Sequence, residues 1–119
     1  MKRILVVEDQ EDNRQILRDL LSAQYEVIEA ENGAEALAAV AKERPDLILM
    51  DIQMPVMDGY EATRRIKADP ATSTIPIMVV TSYALGGDEA KGREAGCDAY
   101  VTKPYSPRQL LAKIREFLP

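Results

Sequence analysis

Residues 46–61 read DLILMDIQMPVMDGYE. The four apolar residues of Leu47–Met50 lead directly to the carboxylate of Asp51. A short, continuous apolar run is typical of a strand that is buried on both faces, as in a parallel sheet. The turn-forming pair Asp58-Gly59 then precedes a helical pattern over Tyr60–Lys67. This stretch therefore predicts a buried strand, an acidic residue at its carboxyl end, and a helix.

The same unit recurs on both sides of this stretch. Short apolar runs bounded by polar or turn residues predict five strands: Ile4–Val7, Tyr25–Ala30, Leu47–Met50, Ile77–Val80 and Ala99–Val101. The second run alternates between apolar and polar residues, which favours a position near the sheet edge.

Helical periodicity fills the gaps between these runs. The first helix has a predicted cap at Asp12 and a predicted apolar face of Ile16, Leu17, Leu20 and Leu21. The second helix is predicted from Ala36, Leu37 and Val40 after the Asn32-Gly33 turn, and the third covers Tyr60–Lys67. The fourth covers Asp88–Ala95, with Asp88 as its cap and Gly96 as its stop. The fifth covers Ser106–Leu118, with Ser106 as its cap and Pro107 at the first helical position. Leu110, Leu111, Ile114 and Leu118 form the apolar face of the last helix.

Five alternations of strand and helix predict an α/β fold with a doubly wound parallel sheet and helices on both faces. We expect the flavodoxin-like strand order 2-1-3-4-5, because five strands in 119 residues fill it with nothing left over. The chain is therefore expected to be one domain, residues 1–119, without an attached output domain.

Composition excludes several classes of function. The net charge of −5 argues against a nucleic-acid-binding surface, and no apolar run approaches the ~20 residues that span a bilayer. The single cysteine, Cys97, allows no internal disulfide, which suits a cytoplasmic location. Histidine is absent, so any phosphohistidine donor must be another molecule.

Polar residues follow the predicted strands where a ligand site of this fold is expected. They are Glu8, Asp9, Asp51, Thr81, Ser82, Thr102 and Lys103. Three carboxylates close together repel unless a cation lies among them, and Mg²⁺ prefers such oxygen ligands. Asp51, between the first and fourth strands, is the best candidate for a nucleophile toward phosphorus. Lys103 supplies a second positive charge, and Thr81 and Ser82 supply hydroxyl donors.

At this point the sequence resembles the receiver domains of response regulators, the CheY-like proteins. The resemblance covers essentially the whole chain and depends on ILVVED, DLILMDIQMPVMDGYE, IMVVTS and GCDAYVTKP, in that order. The segment TSYALGGDEAKGREAGCDAY resembles stand-alone regulators of the DivK type. The resemblance implies a (βα)5 fold and two-component phosphorelay signalling.

The resemblance also implies roles for individual residues. Asp51 would be the phosphoacceptor. Mg²⁺ would be held by Glu8 (through water), Asp9, Asp51 and the backbone carbonyl of Gln53. Lys103 would pair with Asp51 and then with the phosphate, Thr81 would donate to a phosphoryl oxygen, Tyr100 would rotate with Thr81, and the Lys103-Pro104 bond would be cis. A histidine kinase or phosphotransfer protein would be the donor. An unnamed protein would bind the changed surface of the fourth helix, fifth strand and fifth helix, with the chain a monomer or weak dimer.

Two alternatives stay open from the residues alone. A haloacid-dehalogenase-like phosphatase carries a second Asp two residues after its nucleophile, where this chain has Gln53. The second alternative is a degenerate, receiver-like scaffold that is never phosphorylated, although this chain lacks none of the groups that phosphorylation requires. The segment Gly86–Ala90, GGDEA, is similar to the diguanylate cyclase signature but lacks its Phe, and is interpreted as a loop before the fourth helix.

Overall fold

The computed structural model describes the chain except residues 53–56 and 82–87 and the side chains of residues 88 and 89. Its five strands are β1 (Arg3–Val7), β2 (Glu26–Ala30), β3 (Leu47–Asp51), β4 (Ile77–Thr81) and β5 (Ala99–Thr102). Its five helices are α1 (Glu11–Leu21), α2 (Gly33–Glu43), α3 (Gly59–Ala68), α4 (Asp88–Ala95) and α5 (Pro107–Phe117). Every predicted strand and helix is present, with bounds within a few residues of the prediction.

All pairings in the sheet are parallel, and the strand order is β2-β1-β3-β4-β5. The predicted fold and the edge position of β2 are therefore confirmed. The order changes direction beside β1, so the carboxyl ends of β1 and β3 are neighbours: Val7 pairs with Met50. This junction is where an open α/β sheet forms its ligand site.

Three of the helix starts follow the predicted turn chemistry. Asn32 and Asp58 accept hydrogen bonds from the backbone N–H groups three residues later, each at 2.9 Å, and Ser106 does so at 3.4 Å with Pro107 next. Gly96 has a φ of 104°, a left-handed conformation that suits the end of α4. The predicted cap at Asp88 falls on a side chain outside the described residues.

The predicted cap at Asp12 is wrong. The N-cap of α1 is Gln10, and Asp12 lies inside the first turn beside Glu11. In the part of the chain that the structure describes, Gln10 makes no side-chain capping bond. The two acidic residues are instead placed where the partial positive charge of the helix N-terminus favours them.

Two apolar clusters cover the faces of the sheet. One includes Leu5, Ile48, Val79 and residues of α2 and α3, and the other includes Val6, Leu49, Met78 and residues of α1 and α5. Leu17 and Leu21 of α1 are buried, but Ile16 is 58% exposed, so its predicted place on the apolar face is wrong. Cys97 is buried as expected for a small apolar residue. Within the described residues, no helix is long and apolar enough to cross a membrane.

Gly59 allows the start of α3 to approach the end of β3. Its N–H donates to the Ile52 carbonyl at 3.1 Å, and a Cβ built on it would lie 2.1 Å from the Asp51 carbonyl oxygen. A side chain at this position therefore has to push two backbone segments apart, next to a residue of the predicted site.

We expect Gly59→Ala to lower the free energy of unfolding by about 1–3 kcal/mol, the usual cost of overpacking. Urea denaturation measures this. Gly92→Ala within α4 is the matched control: its Cβ would meet only side-chain atoms, Cys97 Sγ at 3.3 Å and the Tyr100 ring at 3.4 Å, and alanine gains helix propensity. A Gly59→Ala protein as stable as wild type would contradict the expectation.

Candidate functional site

Three carboxylates from two strand ends lie together at the rim of the sheet. Glu8 and Asp9 follow β1, and Asp51 is the last residue of β3. One oxygen of each lies within 4.8 Å of the other two. The register of the neighbouring strands β1 and β3 brings them together, so the predicted convergence of these residues is confirmed in geometry.

Glu8 is held in place more firmly than its neighbours. It is 3% exposed, and its N–H donates to the Ala30 carbonyl at 3.0 Å. Its Oε2 accepts from the Asp9 N–H at 3.0 Å, and its Oε1 accepts from Asn13 Nδ2 at 2.7 Å. Its carboxylate orientation is therefore fixed by the protein.

Lys103, which follows β5, contacts the carboxylates at the ends of β1 and β3. Its Nζ lies 3.3 Å from Glu8 Oε1 and 3.8 Å from Asp51 Oδ1. Its N–H donates to the Thr81 carbonyl at 2.6 Å, which ties the segment after β5 to the end of β4. The positive charge that was predicted from Lys103 therefore lies at this rim, between the carboxylates of Glu8 and Asp51 and closer to Glu8. The bond to Pro104 is cis, as expected.

Burial is the main cause that raises the pKa of Asp51 to about 7, followed by its hydrogen bond with Glu8 and the charge of Glu8. Lys103 and the Ile52 N–H, which donates to Asp51 Oδ1 at 2.9 Å, oppose this rise. Burial also acts to raise the pKa of Glu8. The hydrogen bond with Asp51, the charge of Lys103 and the Asn13 amide outweigh burial and lower that pKa. Burial and contact with Glu8 raise the pKa of Asp9. Of the three carboxyls, Asp51 has the most strongly raised pKa, so without a cation it is only partly ionised near neutral pH.

This donor set fits a hard divalent cation. All three side chains offer oxygen, and burial together with the neighbouring Glu8 raises the pKa of Asp51 to about 7, so a cation among them would stabilise the ionised form. Glu8, Asp9 and Asp51 could hold such an ion together with water molecules. The backbone carbonyl of Gln53, predicted as a further ligand, lies outside the described residues.

Thr81 and Tyr100 lie on the same face of the sheet. Thr81 is 1% exposed, and alternation along β4 places it on the face of Ile77 and Val79. Tyr100 packs against the same apolar cluster, close to α4, since a Cβ on Gly92 would lie 3.4 Å from the Tyr100 ring. Ser82 lies outside the described residues, and Thr102 is exposed at the end of β5.

The sequence reasoning missed three residues around Glu8. Asn13 binds its carboxylate, Arg14 Nη1 donates to its carbonyl at 2.8 Å, and the charge of Glu8, after burial, raises the pKa of Tyr105. Asn13 and Arg14 occupy the first turn of the helix that follows Glu8. Their position in the sequence was the one signal that could have predicted these contacts, because the first turn of a helix after a strand faces the carboxyl end of that strand.

A cavity of about 450 Å³ opens beside the carboxylates, between α1 and the segment after β5. Its wall combines Glu8 and Lys103 of the site with the apolar surfaces of Ile16, Leu17 and Tyr105. The exposure of Ile16 therefore gives the site an apolar border.

Comparison with known proteins places this fold and site in one class. The family described as the response regulator receiver domain matches residues 4–115, and the chain belongs to that family of two-component signalling proteins. The predicted family is confirmed.

Among its relatives, the chain is 44% identical to the polar-differentiation response regulator DivK of Brucella anthropi and 42% identical to that of Brucella ovis. Each alignment covers 98% of this chain and 96% of the relative. The resemblance to DivK that the sequence of residues 81–100 suggested is therefore confirmed over the whole chain.

Solved structures agree. Chemotaxis protein CheY4 of Vibrio cholerae is 32% identical, with a TM-score of 0.92 and 98% of each chain covered. The receiver domain of the sensor histidine kinase PA1611 of Pseudomonas aeruginosa is 34% identical, with a TM-score of 0.91 and coverage of 98% of this chain and 97% of that one. That structure has a magnesium ion in its active-site cleft.

Proposed function

We propose that this chain accepts a phosphoryl group on Asp51, with Mg²⁺ held by Glu8, Asp9 and Asp51, from a phosphohistidine on a kinase or phosphotransfer protein. The observation that carries the proposal is the meeting of three carboxylates with Lys103 at one rim. The magnesium ion in the related PA1611 receiver domain supports the choice of cation. Residues 1–119 would act as one receiver unit, and the cytoplasmic location stays a prediction.

In the proposed reaction, a carboxylate oxygen of Asp51 attacks phosphorus, and the bond from phosphorus to the donor nitrogen breaks. The donor imidazole leaves with the electron pair of that bond. Only ionised Asp51 can attack, so a proton on this carboxyl must leave first. Bound Mg²⁺ would favour the ionised carboxylate and neutralise charge on the phosphoryl oxygens. Lys103 Nζ, 3.8 Å from Asp51 Oδ1, is placed to pair with the product phosphate.

The phosphorylated state would differ from the resting state at the surface of α4, β5 and α5. Thr81 would donate to a phosphoryl oxygen, and Tyr100 would turn inward as Thr81 moves. The support is their shared face and the bond from the Lys103 N–H to the Thr81 carbonyl, which joins the ends of β4 and β5. A downstream protein would read this surface, to the extent that phosphate favours one conformation over the other.

Incubation with acetyl phosphate tests the proposal without any partner protein. We expect intact-mass spectrometry to show one added phosphoryl group with Mg²⁺ and none with excess EDTA. No adduct under either condition would favour the receiver-like scaffold that is never phosphorylated. Release of phosphate from an added phosphate ester would favour the phosphatase alternative.

The apolar border of the site is a suitable contact for the donor protein. Ile16 is 58% exposed and lies in the wall of the 450 Å³ cavity, next to the carboxylates. Ile16 shares this wall with Leu17 and Tyr105, and a contiguous apolar patch beside a reactive site is typical of a protein contact.

We expect Ile16→Asp to lower the rate of phosphotransfer from a phosphorylated protein donor by about tenfold, the effect of losing one moderate contact residue. Labelling by acetyl phosphate should be unchanged, because that donor is too small to need the surface. Gln15→Asp, at the neighbouring exposed position of α1, is the matched control for added charge. Equal loss with both donors would show damage to the site instead.

A further inference from the structure

Glu8 is held by two successive residues of the first turn of α1. Arg14, 6% exposed, fixes the Glu8 carbonyl through Nη1 at 2.8 Å. Asn13 fixes the Glu8 carboxylate through Nδ2 at 2.7 Å. One residue therefore holds the backbone of Glu8 and the other holds its side chain.

The Asn13 amide donates to Glu8 Oε1 at 2.7 Å, a shorter bond than the one that Lys103 makes to the same oxygen. Lys103 Nζ is at 3.3 Å from the same oxygen, Oε1. Lys103 lies on the other side, after β5, and also reaches toward Asp51 at 3.8 Å. Glu8 Oε1 therefore accepts hydrogen bonds from Asn13 of α1 and from Lys103 of the segment after β5.

Without the Asn13 amide, Glu8 Oε1 loses one of these two donors and keeps the other, Lys103. The charge of Lys103 would then draw the Glu8 carboxylate toward the β5 side. In the present orientation of Glu8, one oxygen each of Glu8, Asp9 and Asp51 lie within 4.8 Å of one another, and a rotated Glu8 carboxylate would change these distances. A neutral amide is suited to this task, since it orients the carboxylate without cancelling its charge.

We propose that Asn13 is a positioning residue for the divalent cation: its amide holds the Glu8 carboxylate in the orientation that the cation requires. The inference rests on the proposed Mg²⁺ site. Residues that orient metal ligands by hydrogen bonds usually contribute 10–100-fold to metal affinity. Asn13 would therefore set how much Mg²⁺ the protein needs, without contacting phosphorus.

The test is Mg²⁺ binding by isothermal titration calorimetry, in the absence of any phosphodonor. We expect Asn13→Ala to raise the Mg²⁺ dissociation constant about tenfold or more. Asn13→Gln keeps an amide donor on a longer stem and should bind more tightly than the alanine variant. Gln15→Ala, exposed on the same helix, should match wild type.

Two further readouts separate positioning from damage to the fold. Alanine gains helix propensity but removes a hydrogen bond to the buried Glu8 carboxylate, so Asn13→Ala should still unfold cooperatively in EDTA, with a melting temperature within several degrees of wild type. Its labelling by acetyl phosphate should be slow at low Mg²⁺ and approach the wild-type rate at saturating Mg²⁺, because mass action compensates for weaker binding.

Wild-type Mg²⁺ affinity in Asn13→Ala would overturn the inference and leave the proposed function standing. A glutamine variant as weak as alanine would also contradict it, since the amide would then not be the group that matters. A wild-type chain that binds no Mg²⁺ and takes up no phosphoryl group would overturn the proposed function itself.

Discussion

Asp51→Asn takes up no phosphoryl group from acetyl phosphate and Mg²⁺, whereas the wild-type chain gains one. An amide has no oxygen that can attack phosphorus as a carboxylate does, so the expected loss is complete. The asparagine keeps an oxygen for the Ile52 N–H, which now donates to Asp51 Oδ1 at 2.9 Å, so the fold is preserved. Intact-mass spectrometry measures the adduct, and peptide mapping locates it.

Neighbouring carboxylates are not expected to substitute for Asp51. Both oxygens of Glu8 accept hydrogen bonds, from Asp9 N–H, Asn13 and Lys103, so its lone pairs are already engaged. Asp51 has Lys103 at 3.8 Å, a position from which the cation can pair with a phosphoryl group added to it.

Asp46→Asn is the matched control for this prediction. Asp46 lies just before the other end of β3, where its carboxylate accepts from the Arg3 N–H at 2.8 Å, and asparagine can still accept that bond. This variant should be labelled like wild type. An adduct that persists in Asp51→Asn, on Asp9 for example, would contradict the assignment of the acceptor.

The sequence was enough to predict the fold because its signals are local. Buried parallel strands are continuous apolar runs, and each is followed by a helix with recognisable turn chemistry, as at Asn32, Asp58 and Ser106. Strand order then placed the carboxyl ends of β1 and β3 side by side, which was sufficient to bring Glu8, Asp9 and Asp51 together.

The predictions that failed concern residues whose environment depends on how helices and strands pack against one another. Helical periodicity shows which residues share a stripe but not where that stripe ends, so Ile16 was assigned to the core although it lies at its exposed margin. Asp12 is a good capping residue in isolation, yet the path of the chain from β1 makes Gln10 the N-cap. Asn13 reaches Glu8 only because α1 begins beside the end of β1, a distance that no spacing rule provides.

Protonated Asp51 should stabilise the metal-free protein, and this contribution should be lost as the pH rises. Burial, then the hydrogen bond and charge of Glu8, raises the pKa of Asp51 to about 7 in the folded chain, whereas an unfolded aspartate has a pKa of about 4. The folded state therefore binds this proton more tightly than the unfolded state does. Stability from protonated Asp51 is fully present below about pH 4 and is lost as the pH rises to about 7.

Asp51→Asn should remove this loss, because asparagine carries no charge at any pH. Three pH units at about 1.4 kcal/mol each set an upper limit of ~4 kcal/mol, and the lowered pKa of Glu8 acts in the opposite direction. We expect the variant to be more stable than wild type by about 2 kcal/mol at pH 8 and by little near pH 4.

Urea denaturation in EDTA at pH 4, 6 and 8 measures the difference, with Asp46→Asn as the control whose difference from wild type should not follow this trend. Saturating Mg²⁺ at pH 8 should stabilise wild type more than Asp51→Asn, since a cation that binds only the folded state stabilises it and asparagine is the weaker ligand. A difference that is constant from pH 4 to pH 8 would mean that Asp51 ionises normally in the folded chain. Burial and the neighbouring Glu8 would then oppose the ionisation of Asp51 too weakly to favour a bound cation.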